Sequence, residues 1–330
     1  MPSSSIRLRV HVLSLGGTIF MTQDADGLRA TPDATTGTAL QSTLTGDIAV
    51  THEEVANVGS PSLTPSHLRD VLLRARAAVA DGAAGVVVTH GTDTLEESAF
   101  LLNRYWDLAA PLVLTGAMRP ANAPGADGPA NLRDAVRTAA APAARGLGVL
   151  AVFDALVHLA DRVTKTSSRS VDAFASEPSG PVALVGEADL RLVYRPTSQR
   201  APLTADLPEQ LPRVPLLGLG LGDDAELLDA LAPGSLAGLV VAGSGMGHVS
   251  AAAVPRLRAL VDAAVPVVVA TGGTSNRHYD YPGSEVDLIA NGCVMAGALP
   301  PQKARLLLQT LLADSADAVR IREAFAAYAY

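Results

Sequence analysis

A two-domain α/β fold, a large domain followed by a small one, is predicted by three features of the sequence. Short apolar runs alternate with amphipathic helical patterns, and this rhythm breaks once, in a polar stretch rich in proline. The apolar content is 48% while aromatic residues make up only 4%. A chain dominated by Ala, Val, Leu and Gly suits helices packed closely on a parallel sheet. Its 330 residues suffice for two domains of ordinary size.

Taken in order, IRLRVHVLSL, GDIAVTHEEVANV, GVVVTH, PLVLTGAM and LGVLAVFDALVHL read as strands. Between them, PSHLRDVLLRARAAVADG, TLEESAFLLNRYWDL and GPANLRDAVRTAAAPAA read as helices. This β-α-β alternation predicts a parallel sheet with right-handed crossovers. YRPTSQRAPLTADLPEQLPRVP, residues 194–215, is read as a linker between a domain of residues 1–193 and one of residues 216–330. Beyond it, PLLGLGLG, GLVVAGSGMG and PVVVATGG read as strands, with AAVPRLRALVDAA and KARLLLQTLLAD as helices.

Composition excludes several functions. The net charge is −8 and no basic run stands out, so no nucleic-acid partner is expected, because phosphate binding needs clustered Lys and Arg. No apolar run reaches the roughly 18 residues of a membrane span, so no membrane partner is expected either. MPSSSIRLRVHVLSLGGTI runs straight into strand pattern without a signal-peptide core, and a cytoplasmic location is the expectation. The lone Cys293 has no disulfide partner and is read as a packed core thiol. There is no HExxH and no paired Cys/His cluster, so neither metal nor other cofactor is expected. GLGLGDD and GSGMG are glycine patterns that fit no dinucleotide fingerprint, and no Walker lysine exists.

Chemistry is expected beyond the carboxyl ends of the strands, where open parallel sheets bind ligands. Those ends read SLGGTIF, with Thr18; NVGSPS, with Ser60; THGTDTLEES; and TGAMRP. Hydroxyls and small residues gather there, describing a small polar pocket that the backbone approaches closely. Thr94 and Glu97 match a capping box and assign Thr94 to the helix start, leaving Thr92 and Asp93 free to face a ligand. A threonine hydroxyl needs a base before it attacks. Of the 25 basic residues only Lys165 and Lys303 are lysines, and lysine, unlike arginine, releases its proton near neutral pH when desolvated. Lys165, in DRVTKTSSRSVDAF, is the candidate base, its alternative being a surface cation; Lys303 is assigned to structure. His90 is read as a core histidine with a backbone partner.

LGGTI, THGTDTLEES, TGAMRP with ADGPANL, VTKT and GALPPQKARLLL together resemble the bacterial-type L-asparaginases, a family that includes glutaminase-asparaginases. The likeness runs in order from about residue 10 to about residue 325 and implies a larger N-terminal flavodoxin-like parallel sheet and a smaller C-terminal Rossmann-like domain. It implies Thr18 as primary nucleophile, with Thr92, Asp93 and Lys165 as the second catalytic group. Asp93 would also hold the substrate's α-ammonium, Ser60 and the Gly59 backbone its α-carboxylate, and Gly91 and Ala117 its side-chain amide. Glu285 matches a carboxylate that reaches the ammonium from a neighbouring subunit, so a homodimer or homotetramer is implied.

Three positions depart from the family pattern. The loop FMTQDADGLRATPDATTG lacks the tyrosine usual near the nucleophile; Pro61 stands where a glutamine is common; and His248 stands where an asparagine commonly approaches the pocket. The implied activity is hydrolysis of asparagine to aspartate and ammonia through a threonine acyl-enzyme. Broader glutaminase-asparaginase activity and a non-catalytic amino-acid-binding relative are the alternatives.

Overall fold

The computed structural model describes residues 8–24, 27–30, 48–187, 189–196, 202–203, 206–230, 233–271 and 279–329. The chain divides into two compact units, Met1–Glu209 and Gln210–Tyr330.

The strands of the larger unit are β1 (Leu8–Ser14), β2 (Met21–Asp24), β3 (Gly27–Ala30), β4 (Ile48–Glu54), β5 (Gly85–Thr89), β6 (Leu112–Thr115), β7 (Val149–Phe153), β8 (Leu156–Leu159), β9 (Thr164–Lys165), β10 (Phe174–Ala175), β11 (Ala183–Val185) and β12 (Leu190–Leu192). Its helices are α1 (Pro65–Ala80), α2 (Leu95–Asn103) and α3 (Gly128–Ala140). Among the described residues the main sheet has eight strands in the order β12-β11-β8-β7-β6-β5-β1-β4. From β4 to β7 every pairing is parallel. The β7, β8, β11 and β12 pairings are antiparallel.

That antiparallel edge corrects one expectation. LGVLAVFDALVHL is not a single strand, because Asp154 (φ 49°) and Ala155 (φ 59°) turn it back on itself as a two-residue hairpin. Two consecutive positive φ values match the right-handed strand twist, and a tight hairpin results. Likewise the third predicted helix stops at Ala140, and Pro142–Ala144 forms a separate 3-10 turn; a proline at 142 cannot donate its missing N–H to a continuing helix.

The core sits between the sheet and α3. Val10, Val12, Val87, Val113, Leu150 and Val152 are fully buried against Leu132, Ala135, Val136 and Ala139. Burying each such valine is worth about 1.5–3 kcal/mol. Gly85 lets the helix come close: a methyl there would lie 2.2 Å from the Ala139 carbonyl oxygen.

The smaller unit has β13 (Leu216–Gly218), β14 (Leu239–Ala242), β15 (Val267–Ala270) and β16 (Val294–Met295), all parallel and in that order. Its helices are α4 (Val254–Asp262), α5 (Glu285–Ala290), α6 (Pro301–Ala313) and α7 (Ala318–Ala326). Leu239, Val241, Val267 and Val269 pack with Leu257, Leu260, Leu288 and Cys293 in its core. Burial pushes the Cys293 thiol up to about 12. No helix among the described residues is long and apolar enough to cross a membrane.

Candidate active site

In the larger unit the parallel strands end side by side, and backbone hydrogen bonds stitch their tips. The Ser14 carbonyl accepts the N–H groups of Val55 and Ala56, Leu15 donates to Thr89, and His90 donates to Thr115. Glycines then let the connections beyond these tips touch. A methyl on Gly17 (φ 101°) would lie 2.7 Å from the Gly91 nitrogen, so backbone rests directly on backbone. Thr18 and Thr92, each the next residue, leave this one contact together. A methyl on Gly91 would meet Ser60 Oγ at 2.9 Å, and one on Gly116 would meet the His90 carbonyl oxygen at 2.4 Å and Thr92 Cγ2 at 3.4 Å. Ala117 joins the same neighbourhood, since Gly128 faces both Ile19 and Ala117.

Lys165 arrives from 73 residues further on. Its strand β9 pairs with β10, Lys165 opposite Phe174, and Phe174 stacks on Phe153 of β7 with ring centroids 4.2 Å apart. His158 adds a tie by bonding Ser176 at 2.9 Å. The ribbon delivers the Lys165 Nζ to 2.9 Å from Thr92 Oγ1 and 2.8 Å from Asp93 Oδ1. Thr92 is 8% exposed and the Lys165 side chain 14%, whereas the Asp93 side chain is 67% exposed. An ammonium donates to both oxygens; an uncharged amine in the same place accepts the threonine proton, so the arrangement is suited to moving a proton at Thr92 Oγ1.

One residue of the cluster differs from its sequence reading. Thr94 occupies the N-cap of α2, but its hydroxyl makes no cap bond and donates instead to the Ser60 carbonyl at 2.9 Å. The hydroxyl ties the Gly59–Ser60 turn to the start of α2, a longer-range job than the capping box assigned. Asp127 and Asn131 lie in the ADGPANL motif, and the structure gives them a task. The Asp127 carboxylate accepts the N–H groups of Met118 and Arg119, both at 2.9 Å, and Asn131 donates to the Gly116 carbonyl at 3.0 Å. Together they clamp the loop that carries Ala117. The spacing of TGAMRP and ADGPANL carried that signal, because an acid at a helix start commonly collects free N–H groups nearby.

His90 is fully buried, as a core histidine with a backbone partner, and burial pushes its imidazole down to about 4 against the raising effect of the Gly91 carbonyl. Lys303 is likewise buried. Of the long connection after Thr18, β2 and β3 pair antiparallel. Residues 25–26 and 31–37 of the predicted lid, which lacks the tyrosine, lie outside the described residues.

The smaller unit brings together the other two predicted residues. The GSGMG turn is so tight that a methyl on Gly243 would lie 2.6 Å from the Gly247 carbonyl carbon, and it presents His248. His248 Nε2 lies 2.6 Å from Glu285 Oε2, and the Tyr279 N–H donates to Oε1 at 2.6 Å. Tyr281 completes the group from the other side of the ring, its hydroxyl 2.5 Å from His248 Nδ1. Burial alone would raise the Glu285 carboxyl; the bonds from Tyr279, its own backbone and His248 outweigh it and hold the group below its usual range. Among the described residues no group of three or more His, Cys, Asp or Glu is placed to hold a metal ion.

Fold and cluster define a class: an α/β unit with a parallel-rich sheet and a second with a parallel one, with hydroxyls, a carboxylate and one amine gathered beyond strand ends of the first. The chain belongs to the asparaginase family. Residues 9–198 match the model described as "Asparaginase, N-terminal" and residues 213–325 the "Glutaminase/Asparaginase C-terminal domain". It is 37% identical over 290 residues to L-asparaginase 2 of Bacillus subtilis, covering 86% of this chain and 75% of that protein. It is 36% identical to a probable L-asparaginase of Deinococcus radiodurans, covering 98% of each. A crystal structure of a probable cytoplasmic L-asparaginase from Campylobacter jejuni superposes with a TM-score of 0.84 at 30% identity, over 97% of this chain and 99% of that one.

Proposed function

We propose that this chain is an L-asparaginase, hydrolysing L-asparagine to L-aspartate and ammonia. The observation that carries this reading is the Lys165 amine held 2.9 Å from the Thr92 hydroxyl and 2.8 Å from the Asp93 carboxylate. Thr18 follows Gly17, whose backbone packs on Gly91, the residue before Thr92, and that contact supports its assignment to the same site. Thr18 Oγ attacks the side-chain carboxamide carbon; backbone N–H groups at the strand ends receive the oxyanion; the C–N bond breaks and ammonia leaves with the threonine proton. Water then attacks the ester. Thr92 and Lys165 relay a proton from that water to Thr18 Oγ, the ester C–O bond breaks, and aspartate departs.

Asp93 holds the substrate ammonium and Ser60 with Gly59 the α-carboxylate, while Gly91 and Ala117 face the amide. Glu285 completes the ammonium site from a second subunit, with His248 beside it, which makes the working protein a homodimer or homotetramer. A cytoplasmic location goes with this reading, supported by the description of the Campylobacter jejuni structure. Glutaminase activity is the second reading, favoured by the match to a glutaminase/asparaginase domain. One methylene separates the substrates, and a pocket discriminates that by only about 1–3 kcal/mol.

The test is ammonia release from L-asparagine, L-glutamine and D-asparagine by the purified protein. L-Asparagine is expected to give the highest kcat/KM. Thr18→Val and Lys165→Met should each fold and lose nearly all turnover. No ammonia from any of the three amides sinks the enzymatic reading, and wild-type turnover in Thr18→Val removes that residue as nucleophile.

A further inference from the structure

His90 occupies the core beneath the catalytic turn, and both of its ring nitrogens are engaged. Nδ1 lies 2.6 Å from the Gly91 carbonyl oxygen and Nε2 lies 2.8 Å from Ser98 Oγ on α2. A carbonyl only accepts, so Nδ1 carries the hydrogen and donates it. In the neutral ring Nε2 is then the lone-pair nitrogen and accepts the Ser98 hydroxyl.

The position of that bond matters because of what surrounds Gly91. Ser60 lies so close that no side chain fits at 91, and Gly17 packs on the peptide that precedes it. Glycine is therefore required at a point where glycine also leaves the backbone loose. The peptide that follows, Gly91–Thr92, has its carbonyl tied to the imidazole. In a planar trans peptide the carbonyl and the N–H point in opposite directions. Fixing the Gly91 oxygen toward the core thus aims the Thr92 N–H at the face opposite the imidazole and sets the direction in which the Thr92 side chain leaves the backbone.

We propose that His90 is a positioning residue for catalysis: it locks the Gly91–Thr92 peptide so that the Thr92 N–H and hydroxyl are presented together to the reacting carbonyl. Ser98 serves as the outer support by holding the ring in the tautomer that donates to Gly91. This inference rests on the amidohydrolase reading of the site. His90 touches no substrate, and its contribution is felt in the chemical step and not in substrate binding.

The experiment compares His90→Leu with His90→Asn, whose side-chain N–H stands close to where Nδ1 was. In His90→Leu, kcat for asparagine is expected to fall about 100-fold, the scale of a misplaced reacting group. KM and inhibition by the product aspartate should move by less than about threefold, since only transition-state contacts are lost. His90→Asn should recover kcat to within about tenfold of wild type, because the bond to Gly91 is restored. Wild-type kcat in His90→Leu, or equal losses in the two variants, overturns the proposal. Should His90→Leu not fold, Ser98→Ala replaces it, with an expected drop of about threefold in kcat at unchanged KM; no drop overturns the proposal. Crystal structures of wild type and variant give a readout independent of turnover: the Gly91–Thr92 peptide should rotate in the leucine variant. An unmoved peptide overturns the role of His90, whereas a wild-type protein inactive on every amide overturns the functional reading instead.

Discussion

Two glycine-rich strand ends look alike as letters and behave oppositely as structure. At the tips of β1, β5 and β6, Gly17, Gly91 and Gly116 are pressed against other backbone or side-chain atoms at distances no methyl tolerates. After β13, a methyl placed on any glycine of the run Gly218-Leu-Gly220-Leu-Gly222 would meet nothing within 4 Å among the described residues beyond its chain neighbours. The first set is glycine because there is no room, and the space saved is what lets three strand ends lie against one another. The second has no such requirement. Glycine richness at a strand end therefore marks a candidate site only where the chain crowds itself.

The sharpest way to break this comparison is Gly17→Ala. The new methyl would sit 2.7 Å from the Gly91 nitrogen on a residue with φ 101°. The combined strain and overlap are expected to cost about 3 kcal/mol or more. Turnover should fall with it, as Thr18 and Thr92 are pushed apart; calorimetry and ammonia release give the two numbers. Native melting and native turnover together would show that the clamp is not rigid.

A second contrast concerns histidines. In the larger unit burial pushes His90 and His158 down to about 4 from the ordinary 6.5, whereas His248 in the smaller unit sits beside a carboxylate. A depressed histidine leaves stability intact above pH 6.5. As pH falls from 6.5 toward 4, the unfolded chain takes up protons that the folded chain refuses. The loss approaches roughly 3 kcal/mol for each of the two rings at the acid end. His158→Gln should show a smaller drop in urea midpoint between pH 7 and pH 5 than wild type does. An identical drop would mean that this ring contributes nothing to acid sensitivity.

The smallest effect belongs to the open glycines. Gly220→Ala is expected to change stability by less than about 0.5 kcal/mol, as an exposed substitution without contacts should. A loss of about 2 kcal/mol in the same melting assay would erase the distinction between the two tips.

Much of the fold was legible because period and length are local. The valine runs of β5 and β15 and the apolar faces of α1 and α6 are readable within a dozen residues. The hairpin at Asp154–Ala155 was not, since neither residue announces positive φ and the apolar run continues through it. The antiparallel edge of β11 and β12 was missed for a related reason: three-residue strands give too little periodicity to register. The site divides in the same manner. Thr18, Ser60, Thr92 and Asp93 are legible as candidates because open parallel sheets bind ligands beyond their strand ends. The use of Thr94 to hold the Ser60 carbonyl was hidden, because the local capping pattern offered a satisfying alternative for the same hydroxyl.

By itself, then, the sequence determined which elements form and which polar residues stand at their tips, because hydrophobic period and turn chemistry act between near neighbours. Only the tertiary structure decided that Lys165 meets Thr92, that His90 grips the Gly91 carbonyl and that Asp127 closes the Ala117 loop. Those pairings depend on sheet order and on the clearance between backbones, which are properties of the packed chain and not of any stretch within it.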